Sequence, residues 1–323
     1  MRNRSALRSF PAVLFSLMSC AAWAQSFPTK PVRVVVPFPP GGGADMVARV
    51  LAPSMSEQLG QQIVIENRPG GSGIIGMELA ARAAPDGHTV VIGITGTLAI
   101  NPSMFAKLPY DPIASFAPIS LAAVGPNVLV VHPSLPVRSI KELILLAKQR
   151  PESLSYASSG TGGAPHLAGE LFKYMAKVDI VHVPYKGAAP ATIDVLGGHV
   201  PMMFAGLGAA LPHIKVDKLR ALGVAAPRRS SELPQVPAIA EHLPGFSAET
   251  WFGVLAPRGA APEVVSRLNS AIHSAASRED VKKQLLSGGY EVVINTPQQF
   301  AELIRADIKK WAMVISTAGI KAE

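Results

Sequence analysis

One cysteine stands in 323 residues, at position 20. The rest of the chain therefore has no disulfide, no thiolate nucleophile and no thiolate metal site. Aromatic residues make up 6%, and the lysines and arginines are scattered with few aromatics among them, so a nucleic-acid surface is not expected despite a formal charge of +8. Charged residues are 16%, below the usual ~25%. Beyond the N-terminus no apolar run is long enough for a transmembrane helix. Gly-x-Ser-x-Gly and His-Glu-x-x-His are both missing, and acids and histidines lack catalytic spacing. Triads assemble in space rather than in sequence, so catalysis is not excluded on that ground alone.

The N-terminus reads as a secretory signal. Arg2, Arg4 and Arg8 form a basic start without acid, residues 10–22 are nearly all apolar, and Ala22-Trp23-Ala24 has the small-x-small form of a cleavage site. A signal peptide over 1–24 and a periplasmic mature protein are expected. A membrane anchor is the alternative, though the stretch is short for a bilayer. Lipidation at Cys20 is another, with Met18 a poor fit to a lipobox. Cleavage after Ala24 removes the cysteine and lowers the charge by three. The mildly basic remainder would help steer small anions.

Short β-branched runs alternate with helical spacing. Residues 32–37 read as a buried strand, 44–59 as a helix, 62–66 as a strand, 74–84 as a helix and 89–94 as a strand. This βαβαβ order predicts a parallel sheet covered by helices. The theme recurs with strands at 127–131, 155–156, 180–183, 200–204 and 219–224. Helices are expected at 139–150, with Ser139 and Glu142 as a capping box, at 165–177 and at 189–196. One more strand at 250–255 precedes helices at 262–276, 278–286 and 297–317. That helical tail cannot build a third sheet, so it is expected to pack back on the first domain. Residues 25–125 plus 250–323 then form one lobe and 126–249 the other, with crossings near 123–131 and 247–256.

Two glycine-rich turns each follow a strand and precede a helix: Pro40-Gly41-Gly42-Gly43-Ala44-Asp45, and Ser158-Ser159-Gly160-Thr161-Gly162-Gly163 before His166. Helix starts carry unpaired N–H groups and partial positive charge, and glycine lets an anion approach them. Placed in different lobes, the turns suggest a cleft gripping an anion from both sides. The first turn is no nucleotide fingerprint, since Ala44-Asp45-Met46 stands where Gly-Lys-Ser/Thr or a third glycine is needed. Asp45 either caps its helix or ties down the ligand loop. Thr95-Gly96-Thr97 sits after a strand, where α/β sheets place ligands, and offers hydroxyls to a carboxylate. The second turn is too tightly flanked to be a flexible linker. His166 and Glu170 share a helix face but lack a third ligand, so no metal is expected. Tyr185, Lys186 and Gly187 put a phenol, a cation and a turn after a strand. Lys186 is either a ligand partner or a solvated charge. Ala205 and Gly206, after the 200–204 strand, complete the candidate set.

With Phe27-Pro28-Thr29-Lys30-Pro31, Glu66-Asn67-Arg68-Pro69-Gly70-Gly71, Pro85-Asp86-Gly87-His88-Thr89, Val183-Pro184-Tyr185-Lys186-Gly187 and Trp251-Phe252-Gly253 in order, the chain resembles the Bug family. These are extracytoplasmic solute receptors of tripartite tricarboxylate transporters. The resemblance implies a two-lobed type II periplasmic-binding fold, each lobe a mostly parallel sheet flanked by helices, joined by two crossing segments. It implies capture of a carboxylated metabolite by backbone groups, small hydroxyls and waters, with no cofactor, no metal and no catalysis, and a membrane transporter as partner. A two-lobed hydrolase or transferase, or a ligand-presenting partner of a periplasmic sensor kinase, are the rival readings. No arginine lies in the predicted turns, so a bidentate clamp is not evident.

Overall fold

The computed structural model describes residues 27–185 and 187–320. The expected signal peptide and Lys186 lie outside the described residues.

In chain order the elements are β1 (Val32–Val36), α1 (Gly43–Leu59), β2 (Ile63–Asn67), α2 (Ile74–Ala81), β3 (Thr89–Ile94), a wide helical turn Gly96–Ile100, α3 (Asn101–Met104), β4 (Phe116–Gly125) and β5 (Asn127–Val131). Then come α4 (Ile140–Gln149), β6 (Ser155–Ser158), α5 (Ala164–Ala176), β7 (Val181–Pro184), α6 (Ala188–Leu196), β8 (Met202–Gly206), α7 (Leu207–Lys215) and β9 (Arg220–Val224). The chain closes with β10 (Thr250–Pro257), α8 (Pro262–Ser277), α9 (Glu279–Ser287), β11 (Glu291–Val292) and α10 (Pro297–Thr317).

These strands form two sheets, β11-β4-β10-β3-β1-β2 and β7-β6-β8-β5-β9. The β-branched runs are buried on both faces, which is why they are continuous rather than alternating. Val32, Val34, Val36, Val90 and Ile92 pack under α1 and α8 through Val47, Leu51, Leu268 and Ile272. Val35, Val91 and Leu255 face the opposite way, into a cluster with Leu98, Phe300 and Trp311.

The expectation of mostly parallel sheets needs correction. β2-β1-β3 and β7-β6-β8 are parallel, as the βαβ pattern predicts. The strands β10, β4 and β11 in one sheet, and β5 and β9 in the other, pair antiparallel. The cause lies in the crossings. β4 runs through Pro126 straight into β5, and β10 re-enters the first sheet from the second, so no helical crossover turns either strand parallel. β4 itself was not read from sequence, because Pro118 and Ser120 interrupt its apolar run.

The two crossings are tied together. Asn127 Nδ2 donates to Ala248 O at 2.7 Å. Trp251 N donates to Thr95 Oγ1 at 2.9 Å. The helical tail packs on the first sheet as expected, with one addition: α10 also lies against α5, in an apolar cluster continuous with Leu171 and Phe172. α10 is pinned to the second crossing by Asp307, whose buried carboxylate accepts from Trp251 Nε1 at 2.7 Å and pairs with Lys310 at 2.7 Å. Lys310 donates in turn to Ser247 O at 3.2 Å.

Asp307→Leu should leave the Trp251 N–H buried without an acceptor. A loss of about 1–3 kcal/mol is expected, read as a fall of several degrees in the calorimetric midpoint. An unchanged midpoint would show that this pin contributes nothing.

Candidate functional site

Two adjoining cavities lie between the lobes and share the walls Phe38, Ile94 and Thr250. The larger, of about 470 Å³, is bounded by Pro40, Gly42 and Gly43 from the first lobe and by Gly206, Gly208 and Ala209 from the second. The smaller, of about 310 Å³, is bounded by Gly96 and Asn101 on one side and by the turn Ser159–Gly163 on the other. Three helices start at these walls: α1 and α7 at the larger cavity, α5 at the smaller. None has a side-chain cap, their N-caps being Gly42, Gly206 and Gly163. Ser139 and Thr296 cap α4 and α10, while α2, α3, α6, α8 and α9 likewise have no side-chain cap, so it is the placement of the α1, α5 and α7 starts that sets them apart. The positive helix ends therefore border the space between the lobes, with first-turn N–H groups left for a ligand, although Leu207 N already donates to Pro126 O and Pro165 in α5 has no N–H. Among the described residues no charged side chain lines either cavity.

The first turn is held by Asp45. Its carboxylate accepts from Gly41 N at 2.9 Å, Arg49 Nε at 2.9 Å and Asn67 Nδ2 at 2.9 Å. Asn67 Nδ2 also donates to Phe38 O at 3.0 Å. Burial alone would push the Asp45 carboxyl up, but these donors and the Arg49 charge hold it below its ordinary range. Asp45 is 3% exposed. It shapes the loop from beneath, and its charge is matched by Arg49 rather than turned on the cleft.

The second turn rests on a buried polar stack. Ser158 Oγ bonds His182 Nε2 at 2.7 Å and accepts from Gly160 N at 3.2 Å. His166 Nδ1 accepts from Gly162 N at 2.9 Å. The His166 and His182 rings stack 3.8 Å apart at 14°. Tyr156 OH donates to Glu170 at 2.7 Å, and Lys173 pairs with the same oxygen at 3.1 Å. Burial first, then the charge of Lys173, pushes His166 down to about 4. Burial and the neighbouring His166 do the same to His182.

Several expected site residues are thus placed elsewhere. Thr95 and Thr97 do not line the cleft. Thr95 Oγ1 braces the second crossing, and Thr97 Oγ1 bonds Ile94 N and O at 3.1 Å, because the wide turn after β3 rolls both hydroxyls inward. Ser158, Asp45 and His166 stand one layer behind the wall. Ala205 is buried within β8. Tyr185 OH donates to Asp194 at 2.5 Å, and Tyr185 N and Gly187 N bond Ser158 O and Ser159 O, so this segment buttresses the turn. Gly41 spends its N–H on Asp45. Pro40, Gly42, Gly43, Gly96, Ser159, Gly160, Thr161, Gly162, Gly163 and Gly206 reach the cavity walls.

Sequence reading missed α7 and Tyr290. A strand followed by Gly206-Leu207-Gly208 and helical spacing at Ala210, Leu211 and Ile214 was the available signal for α7, masked by Pro212. Tyr290 is brought to the cleft by tertiary packing alone.

A third cavity, of about 490 Å³, shares only Pro126 with the first. Along the second crossing Thr250 and Phe252 face the cleft while Glu249 and Trp251 face this cavity, the two-residue period of a strand. Its wall carries Glu249, Glu291 and Asp307 with Arg228, Arg229 and Lys310. Burial first, then Glu291, pushes Glu249 up to about 7. Acids and bases are matched in number here, and Lys310 and Arg229 are already paired with Asp307 and Glu241. The charge of this wall thus serves structure, whereas the cleft offers neutral walls and helix starts from both lobes.

The Tripartite tricarboxylate transporter family receptor model matches residues 47–320. Protein BugT of Bordetella pertussis is 37% identical over 300 residues, covering 92% of each chain. The solved R. palustris Rpa4515 with adipate is 39% identical, with a TM-score of 0.78 over 92% of this chain and 100% of that one. MatC from Rhodopseudomonas palustris with bound malate is 34% identical, with a TM-score of 0.73 over 90% and 100%.

Asp45→Asn keeps one acceptor oxygen, so either the Gly41 N–H or the Asn67 amide loses its partner, and the charge that matches Arg49 is lost. Binding should weaken about tenfold while the fold survives. Loss of folding in circular dichroism would make Asp45 a purely structural cap. The histidine stack sets a pH dependence. Both rings bind protons less readily in the folded state than at the ordinary 6.5, so their contribution is complete above about pH 6.5 and fades as pH falls toward 4. His166→Asn keeps an acceptor for Gly162 N without a titrating ring. Its melting temperature should fall less steeply than the wild type's over that window, and identical slopes would refute the assignment.

Proposed function

Because the chain belongs to the tripartite tricarboxylate transporter receptor family, we propose that it is an exported periplasmic receptor that captures a small carboxylate between its lobes and delivers it to a membrane transporter. The observation that carries the reading is the neutral cleft onto which α1, α5 and α7 open without side-chain caps, from both lobes. A carboxylate supplies the acceptors those N–H groups lack, at about 1.5–3 kcal/mol per charge-assisted bond. Several such bonds reach the ~8 kcal/mol of micromolar affinity before ordering costs.

The cleft favours an elongated acid. Its shared walls Phe38 and Ile94, with Ile100 and Phe252, are apolar, while helix starts mark both cavities. A short hydrocarbon chain with a carboxylate at each end matches this layout, in keeping with the adipate and malate of the similar R. palustris proteins. The lobes are 25–125 plus 250–323 and 126–249, hinged at Pro126 and at Glu249–Thr250, after removal of a signal peptide over 1–24. No helix among the described residues is long and apolar enough to cross a membrane.

The enzyme reading has little support. Ser158 and His182 are within hydrogen-bond reach, but Ser158 is 0% exposed and its hydroxyl serves the turn. The matched family is one of transporter receptors, and the similar solved proteins include a periplasmic binding protein, BugD.

A thermal-shift screen of protein refolded free of ligand tests the proposal. Citrate, C4 to C8 dicarboxylates, acidic amino acids and aromatic acids form the panel. An acid at 100 times its dissociation constant should stabilise by about 2.7 kcal/mol and be recovered unchanged. No response to any acid, or recovery of a converted product, would contradict the receptor reading.

A further inference from the structure

Tyr290 enters the larger cavity from the end of the chain's first lobe, after the Gly288-Gly289 turn that follows α9. Its ring meets Phe252 edge-on at 5.2 Å. It also lies on two glycines. A Cβ on Gly43 would come 2.5 Å from its hydroxyl, and one on Gly125 would come 3.0 Å from its ring. The hydroxyl is therefore fixed at the first turn of α1, beside the hinge. No described residue bonds it, and it is not among the walled-in polar atoms, so it opens on the cavity. Burial raises its pKa above the ordinary 10, which keeps it a neutral donor.

The two residues before it touch the opposite lobe. Gly288 and Gly289 pack backbone against backbone on Gly208, in the first turn of α7. A Cβ on Gly208 would overlap the Gly288 carbonyl, and one on Gly289 would overlap Gly208 itself. The lobes meet here only because all side chains are missing from the contact.

We propose that the Gly288–Tyr290 turn is a latch. Tyr290 Oη donates a hydrogen bond to a ligand carboxylate seated at the start of α1, and the adjoining glycine backbone docks on Gly208 to hold the lobes closed over it. Ligand contact and closure are then coupled through three consecutive residues. The proposal rests on the carboxylate reading of the cleft and adds to it the side chain that senses the anion.

The test compares wild type, Tyr290→Phe and Gly208→Ala, with adipate and malate as probes. Calorimetry gives affinity, small-angle X-ray scattering gives compaction, and the ligand-free melting temperature controls for folding. The wild type should bind a probe and contract. Tyr290→Phe should contract at saturation but bind about tenfold or more weakly, with an unchanged ligand-free melting temperature. Gly208→Ala should bind more weakly and fail to contract, while its circular-dichroism spectrum stays that of the wild type, since alanine favours the helix. Wild-type affinity in Tyr290→Phe overturns the donor role, and normal contraction in Gly208→Ala overturns the latch. If the wild type binds neither probe nor any acid of the wider panel, the carboxylate reading itself fails, and the latch with it.

Discussion

The first turn of a helix exposes N–H groups that the helix cannot satisfy. In this protein the starts of α1, α5 and α7 leave that demand open on one cleft. Much of the surrounding architecture follows from it. Glycines stand at the three N-caps, where a side chain would either cap the helix or block the approach of a ligand. The charge that shapes the first turn, Asp45, sits behind the wall and is matched by Arg49, so that it does not repel what the cleft is built to receive. The second turn is shaped by neutral groups, with burial holding His166 and His182 uncharged at ordinary pH.

The same logic separates the two faces of the crossings. Alternation along the second crossing sends Thr250 and Phe252 to the cleft and Glu249 and Trp251 to the far side, where acids and bases cluster with one another. Charge is kept on the face that carries α10. There Asp307, Lys310 and Trp251 fix the last helix to the crossing. The cleft face stays neutral, and recognition is left to backbone dipoles, whose strength grows when closure excludes water.

The parallel halves of both sheets were legible because β-branched runs buried on both faces leave a local imprint, and the helices because their apolar spacing does. The antiparallel halves were not, since their direction is set by which lobe a strand arrives from. At the site, the glycine turns were legible as turns, but depth was not. Thr95, Thr97, Ser158 and His166 have the right chemistry at the right place in sequence, yet each is rotated into the layer that supports the wall. Tyr290, more than a hundred residues from either turn, carries no local mark beyond the glycine pair before it. The family resemblance rested on motifs in order, and the match over residues 47–320 agrees with it.

The central claim is that an anion is held by helix-start N–H groups from both lobes rather than by a cationic side chain. A high-resolution crystal structure of the protein with its bound acid tests this most directly. Carboxylate oxygens within hydrogen-bond distance of backbone nitrogens at Gly42–Gly43 and at Gly208–Ala209 are the expected result. A carboxylate paired instead with a lysine or arginine side chain, as with Arg228 or Lys310 behind the crossings, would contradict it.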